Sequence, residues 1–110
     1  SKNITITNVS NFDGAWKATI TESDASLTSA SVTFNVDGTS VSISLWSAST
    51  SIGYFWGMTS TTLSNDNSFT VTEKIGSIEL KFTIKLESST SGSGTFTYLG
   101  KNYPMSVSRP

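Results

Sequence analysis

The residue types on which most enzyme chemistry depends are missing from this chain. None of its 110 residues is His or Cys. His is the commonest general base, and both residues are common metal ligands. The chain therefore cannot build a Ser-His-Asp triad, a Cys-His pair, a thiolate metal site or a disulfide framework. The chemistry that stays open is that of paired carboxylates, which can act on a glycosidic bond without His.

The acidic residues are scattered along the chain, and their predicted positions favour solvation over catalysis. Asp37 belongs to a hairpin turn, and Asp13 is a turn or capping residue. Glu73 has the parity of the inward residues, but it lies beside a predicted turn, where its carboxylate reaches solvent. No phosphate-binding glycine loop is predicted, because such a loop lies between a strand and a helix and no helix is predicted in this chain. We therefore predict a non-enzymatic protein with no catalytic residue, cofactor or metal site. A metal held by carboxylates and carbonyls alone is the open alternative.

Aromatic side chains are the main candidates for binding a ligand. If the strands close into a barrel, alternation points five large side chains into its open end. There they would either belong to a packed core or line an apolar pocket in which a Tyr hydroxyl orients the ligand. These five are Tyr54, Trp56, Met58, Phe96 and Tyr98.

Two further aromatic residues have the opposite parity. Trp46 follows Leu45, which is predicted to point inward, and Phe55 lies between two inward positions. Both are therefore predicted on the outer face of neighbouring strands. Their alternative roles are a stacking platform for a sugar, a contact patch for a protein, or a surface covered by an N-terminal strand.

These assignments depend on a hydrophobic pattern whose period is 2 almost throughout. In segment 77–87, apolar residues at even positions alternate with mostly charged residues at odd positions. This is the pattern of an antiparallel strand with one dry face. We predict eight strands at 14–22, 27–36, 39–47, 52–59, 68–74, 77–87, 94–99 and 102–109, and an N-terminal strand at 3–9.

Three predicted hairpin turns agree with this alternation. Each is a two-residue loop containing Gly, which supplies the positive φ that tight hairpins need. The loops are Asp37-Gly38, Ile75-Gly76 and Gly100-Lys101. They imply the apolar pairs Phe34 with Val41, Val71 with Leu80, and Tyr98 with Tyr103. A slip of one residue would turn each apolar set to the wrong face.

The predicted architecture is all-β, a single domain over residues 1–110 in which every connection is a hairpin. Eight strands in such an up-and-down meander tend to close into a barrel, since closure removes exposed edges. The alternative is a two-sheet β-sandwich.

In the barrel the first strand lies antiparallel to the last, so Trp16 lies close to Arg109. We expect a cation–π contact between them, with the other guanidinium donors bound to backbone carbonyls.

Gly14 and Trp16 at the start of the first strand, with Arg109 at the end of the eighth, resemble the signature of the calycin superfamily. The likeness is to its lipocalin-like small barrels. That family carries Gly-x-Trp on its first strand, and on its last strand an Arg or Lys that packs over the Trp. The resemblance covers residues 14–109 and implies a β-barrel that binds a small apolar ligand. The chain is much shorter than typical lipocalins, with neither their disulfide nor a predicted C-terminal helix. Some members of the superfamily that are about as short as this chain are protease inhibitors.

Composition limits the partners. The 8 acidic and 7 basic residues nearly cancel, and no basic run is present, so nucleic-acid binding is not expected. No apolar run reaches transmembrane length, so membrane insertion is not expected, and no signal peptide is recognised. The 39 Ser and Thr residues suit an extracellular, periplasmic or cell-surface setting. Two sequons begin at Asn3 and Asn8, and their use is left open.

The predicted function is therefore that of an extracellular lipocalin-like domain that binds a small apolar ligand. Three alternatives stay open. They are a carbohydrate-binding module that uses Trp46 and Phe55, a protease inhibitor that presents a loop or residues 1–10, and a structural domain of a larger surface protein.

Overall fold

The computed structural model describes residues 12–110, which form eight antiparallel strands and no helix. The strands are β1 Gly14–Ile20, β2 Leu27–Asp37, β3 Ser40–Thr50, β4 Gly53–Thr62, β5 Ser68–Ile75, β6 Ile78–Leu86, β7 Ser91–Tyr98 and β8 Lys101–Ser108. All eight predicted strands are present, and no boundary differs from its prediction by more than three residues. The predicted N-terminal strand and both sequons lie outside the described residues.

The eight strands form one sheet in the order β4-β3-β2-β1-β8-β7-β6-β5. β1 pairs antiparallel with β8 through Lys17 opposite Ser108, so the first and last strands meet as predicted. β4 and β5 are the two ends of the sheet, and no strand pairing joins them. The result is a nearly closed up-and-down barrel with a seam between β4 and β5, and not a sandwich.

The seam corrects the prediction that every connection is a hairpin. Residues 63–67 lead from β4 to β5, but no strand pairing forms between these two strands. Leu63 is buried, and its amide donates to the Thr39 carbonyl at 2.7 Å. The Leu86 amide donates to the Asn67 carbonyl at 2.9 Å. The link is thus tied to the β2–β3 turn at one end and to β6 at the other, which directs β5 onto β6.

The three predicted turns exist, but each two-residue loop lies one residue away from its predicted position. The loops are Gly38-Thr39, Gly76-Ser77 and Leu99-Gly100. Gly takes the first loop position in the first two, with φ of 65° and 64°, and both residues of the third have positive φ. The predicted pairs are therefore wrong by two residues: Phe34 faces Ile43, Val71 faces Phe82, and Phe96 faces Tyr103. A shift of two keeps every side chain on its predicted face.

A β-bulge in β3 breaks the alternation that the sequence predicts. On β2, Thr33 pairs with Leu45, but the next residue, Phe34, pairs with Ile43. Ser44 is therefore an extra residue with no partner in β2. Its hydroxyl donates to the Thr33 carbonyl at 3.2 Å. An extra residue moves every later side chain of the strand to the opposite face.

The bulge overturns the predicted orientation of the β3–β4 hairpin. Leu45, predicted inward, is 40% exposed, and Trp46, predicted outward, is 2% exposed. β4 follows the same inversion because Trp46 pairs with Gly57 and Ser47 with Trp56. Phe55 accordingly packs against the core instead of facing solvent.

The predicted contact between the two ends of the chain is confirmed. Trp16 is fully buried, and the Arg109 guanidinium lies 4.0 Å from the centroid of its ring. The ring stacks on Phe34 with 6.3 Å between ring centroids, and its indole N–H donates to the Phe12 carbonyl at 2.7 Å. Gly14 has a φ of 110°, and a Cβ there would lie 3.1 Å from Nη1 of Arg109.

The remaining donors of Arg109 bind backbone carbonyls, also as predicted. Nη1 donates to the Asp13 carbonyl at 2.9 Å and to the Ala15 carbonyl at 3.2 Å. Nε donates to the Ser89 carbonyl at 3.0 Å. One side chain at the end of β8 therefore joins the start of β1 to the β6–β7 loop across the closed end of the barrel.

Replacing Trp16 with Ala should lower the free energy of unfolding by about 3–5 kcal/mol, because it leaves a large cavity under Arg109. Urea unfolding followed by circular dichroism measures this, with Lys17→Ala on the exposed face of β1 as the control. A loss below about 1 kcal/mol would show that Trp16 does not support the core.

Deleting Ser44 should destabilise the protein far more than Ser44→Ala. The deletion restores uninterrupted alternation, so Leu45 and Trp46 compete for the inward position. The substitution keeps the extra residue and removes one exposed hydrogen bond, which costs about 0.5–1.5 kcal/mol. The midpoints of urea unfolding compare the stability of the deletion variant with that of Ser44→Ala. Equal midpoints would contradict this role of the bulge.

Candidate functional site

The outer face of β4 carries three large exposed side chains in successive outward positions. Tyr54 is 60% exposed, Trp56 59% and Met58 70%. We call these three residues the β4 stripe. Leu45 lies beside it on β3, and Ile52 follows in the β3–β4 turn at 62% exposure. Most of the large exposed apolar side chains of residues 12–110 thus lie on one hairpin, and such a concentration is typical of interaction surfaces.

Both predicted binding sets are therefore corrected. The predicted interior set is divided: Tyr54, Trp56 and Met58 point outward, whereas Phe96 and Tyr98 are buried in the core. The predicted outer set, Trp46 and Phe55, packs inward. The cause is the same for both sets, since the Ser44 bulge inverts the second half of β3 and with it β4.

The core beneath β4 holds the stripe in place. The Trp46 ring lies directly under Gly57, where a Cβ would come within 2.7 Å of the indole nitrogen. Trp46 also contacts Phe82, with 6.5 Å between the ring centroids. Because Gly57 has no side chain, the backbone of β4 can lie close against this ring, with Trp56 and Met58 turned outward.

Small hydroxyl side chains flank the stripe on β3. Ser49 pairs with Tyr54, and Ser47 pairs with Trp56. Strands lie about 4.7–4.9 Å apart, so these hydroxyls lie next to the two aromatic rings. The Ser47 hydroxyl is 3.3 Å from that of Ser31 on β2, which continues the polar row. The face thus combines aromatic rings with neutral hydrogen-bonding groups.

Charge is absent from the whole hairpin. Residues 38–65 contain no Asp, Glu, Lys or Arg, although the chain has 15 charged residues in all. The hairpin that carries the stripe therefore contributes no formal charge to this surface. This charge-free run is the sequence signal that points to the hairpin, and periodicity alone does not reveal it.

The seam leaves one side of the stripe open. β4 pairs with β3 along one edge, and no strand within residues 12–110 pairs with its other edge. The backbone groups along this edge of β4 therefore have no strand partner among the described residues. β4 carries neither a charge nor a Pro, the usual devices that protect an edge strand.

The interior contains two buried polar atoms that lack hydrogen-bond partners among the described residues. They are the indole nitrogen of Trp46 and the hydroxyl of Tyr98. Around them the core is aromatic, and Phe82 stacks on Phe96 with 6.2 Å between ring centroids. Each unpaired group costs about 1–3 kcal/mol, so a polar atom placed against either would be stabilising.

The best-connected carboxylate is structural. Asp24, in the β1–β2 loop, accepts hydrogen bonds from the amides of Ser26 and Leu27 at 2.9 and 3.0 Å. It also accepts one from the Tyr103 hydroxyl at 3.0 Å and forms an ion pair with Lys101. The Lys101 ammonium is the main cause that holds the pKa of Asp24 well below its usual value, followed by the Leu27 amide. The cluster fastens this loop to the start of β8.

Two other acidic residues also make hydrogen bonds within loops and turns. The Asp13 carboxylate accepts from the Gly38 amide at 2.8 Å and so caps the β2–β3 turn. Asp66 accepts hydrogen bonds from the hydroxyls of Ser64 and Ser68, which lower its pKa. Within residues 12–110, no group of three or more acidic side chains is placed to hold a metal ion. The same residues contain no helix long and apolar enough to cross a membrane.

Comparison of this chain with family models, curated proteins and solved structures finds no match. The site is therefore interpreted from its own geometry.

The Asp24 cluster predicts a loss of stability at acidic pH. A carboxyl whose pKa is lower in the folded state stabilises the fold above its unfolded pKa of about 3.9, and this contribution fades as the pH falls below that value. Asp24→Asn should therefore lose less thermal stability than the parent protein between neutral and strongly acidic pH.

Thermal unfolding across this range measures the effect, with Glu79→Gln on the exposed face of β6 as a control that removes the same charge. Equal pH dependence in Asp24→Asn and the parent protein would contradict the role given to Asp24.

Proposed function

We propose that this protein is a non-enzymatic binding domain in which the barrel is the scaffold and the β4 stripe is the binding surface. The observation that carries the proposal is the exposure of Tyr54, Trp56 and Met58 side by side on an uncharged hairpin. Leaving such side chains in water is unfavourable, and a ligand that covers them recovers that free energy.

We further propose that the barrel is lipocalin-like and related to the calycin superfamily. The support is the geometry of Gly14, Trp16 and Arg109, in which the guanidinium covers the indole ring and a Cβ at Gly14 would crowd Nη1. This arrangement lies at the closed end of the barrel. It supports the fold family and leaves the ligand open.

A second candidate function is the binding of a small apolar ligand inside the barrel. The observation that favours it is the buried Tyr98 hydroxyl, which has no partner among the described residues. The surface proposal is preferred because Phe96 and Tyr98 are packed into the aromatic core, whereas the other three members of the predicted pocket face solvent.

The proposed setting is extracellular, periplasmic or at a cell surface. The support is compositional: no Cys, little charge and abundant Ser and Thr on outward strand positions. A glycan or a protein in such a setting would reach the stripe directly.

Binding to a defined panel tests the surface proposal against the interior one. The panel contains neutral polysaccharides, anionic polysaccharides and a fluorescent fatty acid. We expect one class to bind, and Trp56→Ser to weaken that binding at least about tenfold, which corresponds to about 1.4 kcal/mol. Leu99→Asn is the matched control, because it removes an exposed apolar side chain from the β7–β8 turn, and Asn tolerates the positive φ found there.

The opposite result is also specific. If the fatty acid binds, and its affinity is unchanged in Trp56→Ser but altered in Tyr98→Phe, the binding site is the barrel interior and the stripe is not the functional surface.

A further inference from the structure

Resting on this proposed function, we infer that the ligand of the β4 stripe is a neutral, linear glycan. It lies along β4 with the faces of its sugar rings on Tyr54 and Trp56. The juxtaposition that carries the inference is that of two exposed aromatic rings with two serine hydroxyls on a hairpin that contains no charged residue.

The charge pattern selects the ligand class. Phosphate, nucleic acid and acidic polysaccharides are held mainly by Lys and Arg, and residues 38–65 contain neither. A cationic ligand would need nearby carboxylates, which the same residues also lack. A neutral ligand leaves no charge unpaired on this hairpin.

The mixture of groups favours a sugar over a lipid. A sugar ring has a face of C–H bonds, which carry slight positive charge and suit the negative face of an aromatic ring, and an edge of hydroxyls. Ser47 and Ser49 lie beside the rings, where they can exchange hydrogen bonds with that edge. A purely apolar ligand over the same face would take these hydroxyls out of water without giving them partners.

The shape of the stripe sets the orientation of the ligand. Successive outward residues of a strand are about 6.6–6.8 Å apart, so Tyr54 to Met58 spans about 13 Å along β4. A single sugar cannot cover this length, but a linear chain can. The three stripe residues are exposed on the outer face of the barrel and are not enclosed in a pocket, so the surface suits a segment within a longer polymer.

The experiment uses isothermal titration calorimetry with three neutral oligosaccharide series: cello-, xylo- and chito-oligosaccharides of increasing length. We expect one series to bind, with affinity that rises from the disaccharide to longer chains. Trp56→Ser should weaken binding at least tenfold at every length, and Trp56→Tyr should restore most of it. Tyr54→Ser should also weaken binding at every length, because even a disaccharide places a second sugar against Tyr54, about 6.6–6.8 Å from Trp56 along β4.

The hydroxyls are tested separately. Ser47→Val and Ser49→Val each introduce a side chain that favours a β-strand and remove a hydroxyl. Each should therefore weaken oligosaccharide binding several-fold. Leu99→Asn should bind like the parent protein. Urea midpoints and near-UV circular dichroism establish that each variant is folded.

The outcomes separate this inference from the function on which it rests. If no series binds, or if binding is insensitive to chain length and to the serines, the glycan assignment is wrong. It is also wrong if an anionic or apolar ligand binds instead and Trp56→Ser removes that binding, although the stripe then remains the functional surface.

The protein could instead dimerise in a concentration-dependent way and bind no oligosaccharide. If Trp56→Ser abolishes that dimerisation, the occupant of the stripe is a second copy of the chain. A bound ligand that no stripe variant affects would overturn both proposals.

Discussion

The contact between Arg109 and Trp16 joins the two ends of the described chain, and the barrel depends on it. The guanidinium covers a fully buried indole ring and donates to backbone carbonyls at both the start of β1 and the β6–β7 loop. β1 and β8 can then pair, which turns two four-stranded meanders into one sheet. Without this pairing each meander would expose another edge strand.

The bulge at Ser44 decides what the barrel presents to its surroundings. One additional residue in β3 moves Trp46 into the core and Leu45 out of it. Because β4 pairs with this part of β3, Tyr54 and Trp56 are turned outward as well. The barrel gains a large core residue near its centre, and the cost is a row of exposed apolar side chains. Such a cost is consistent with a binding role for that row.

Neutrality and openness make the β4 stripe different from the rest of the surface. On β6, by contrast, charged side chains alternate with the core positions at Glu79, Lys81 and Lys85. On the β3–β4 hairpin the outward positions are serine, threonine, aromatic or aliphatic. Strand β4 also lies at the seam, where its second edge is unpaired among the described strands. The hairpin that carries the stripe therefore combines exposed apolar side chains with an edge that no described strand pairs.

The sequence by itself determined the all-β class, the eight strands, the faces of most side chains and the closure marked by Gly14, Trp16 and Arg109. These features depend on local alternation and on glycine in tight turns, and both are visible in neighbouring residues. The tertiary structure decided the orientation of the β3–β4 hairpin and therefore the site. The Ser44 bulge is stabilised by the Thr33 carbonyl on another strand and by the space that Gly57 leaves for Trp46. Neither partner is near Ser44 in sequence. Alternation alone therefore predicts an unbroken pattern in β3, at the position where the folded chain interrupts it. The seam has the same origin, since residues 63–67 are held by β6 and by the β2–β3 turn, which only folding brings to them.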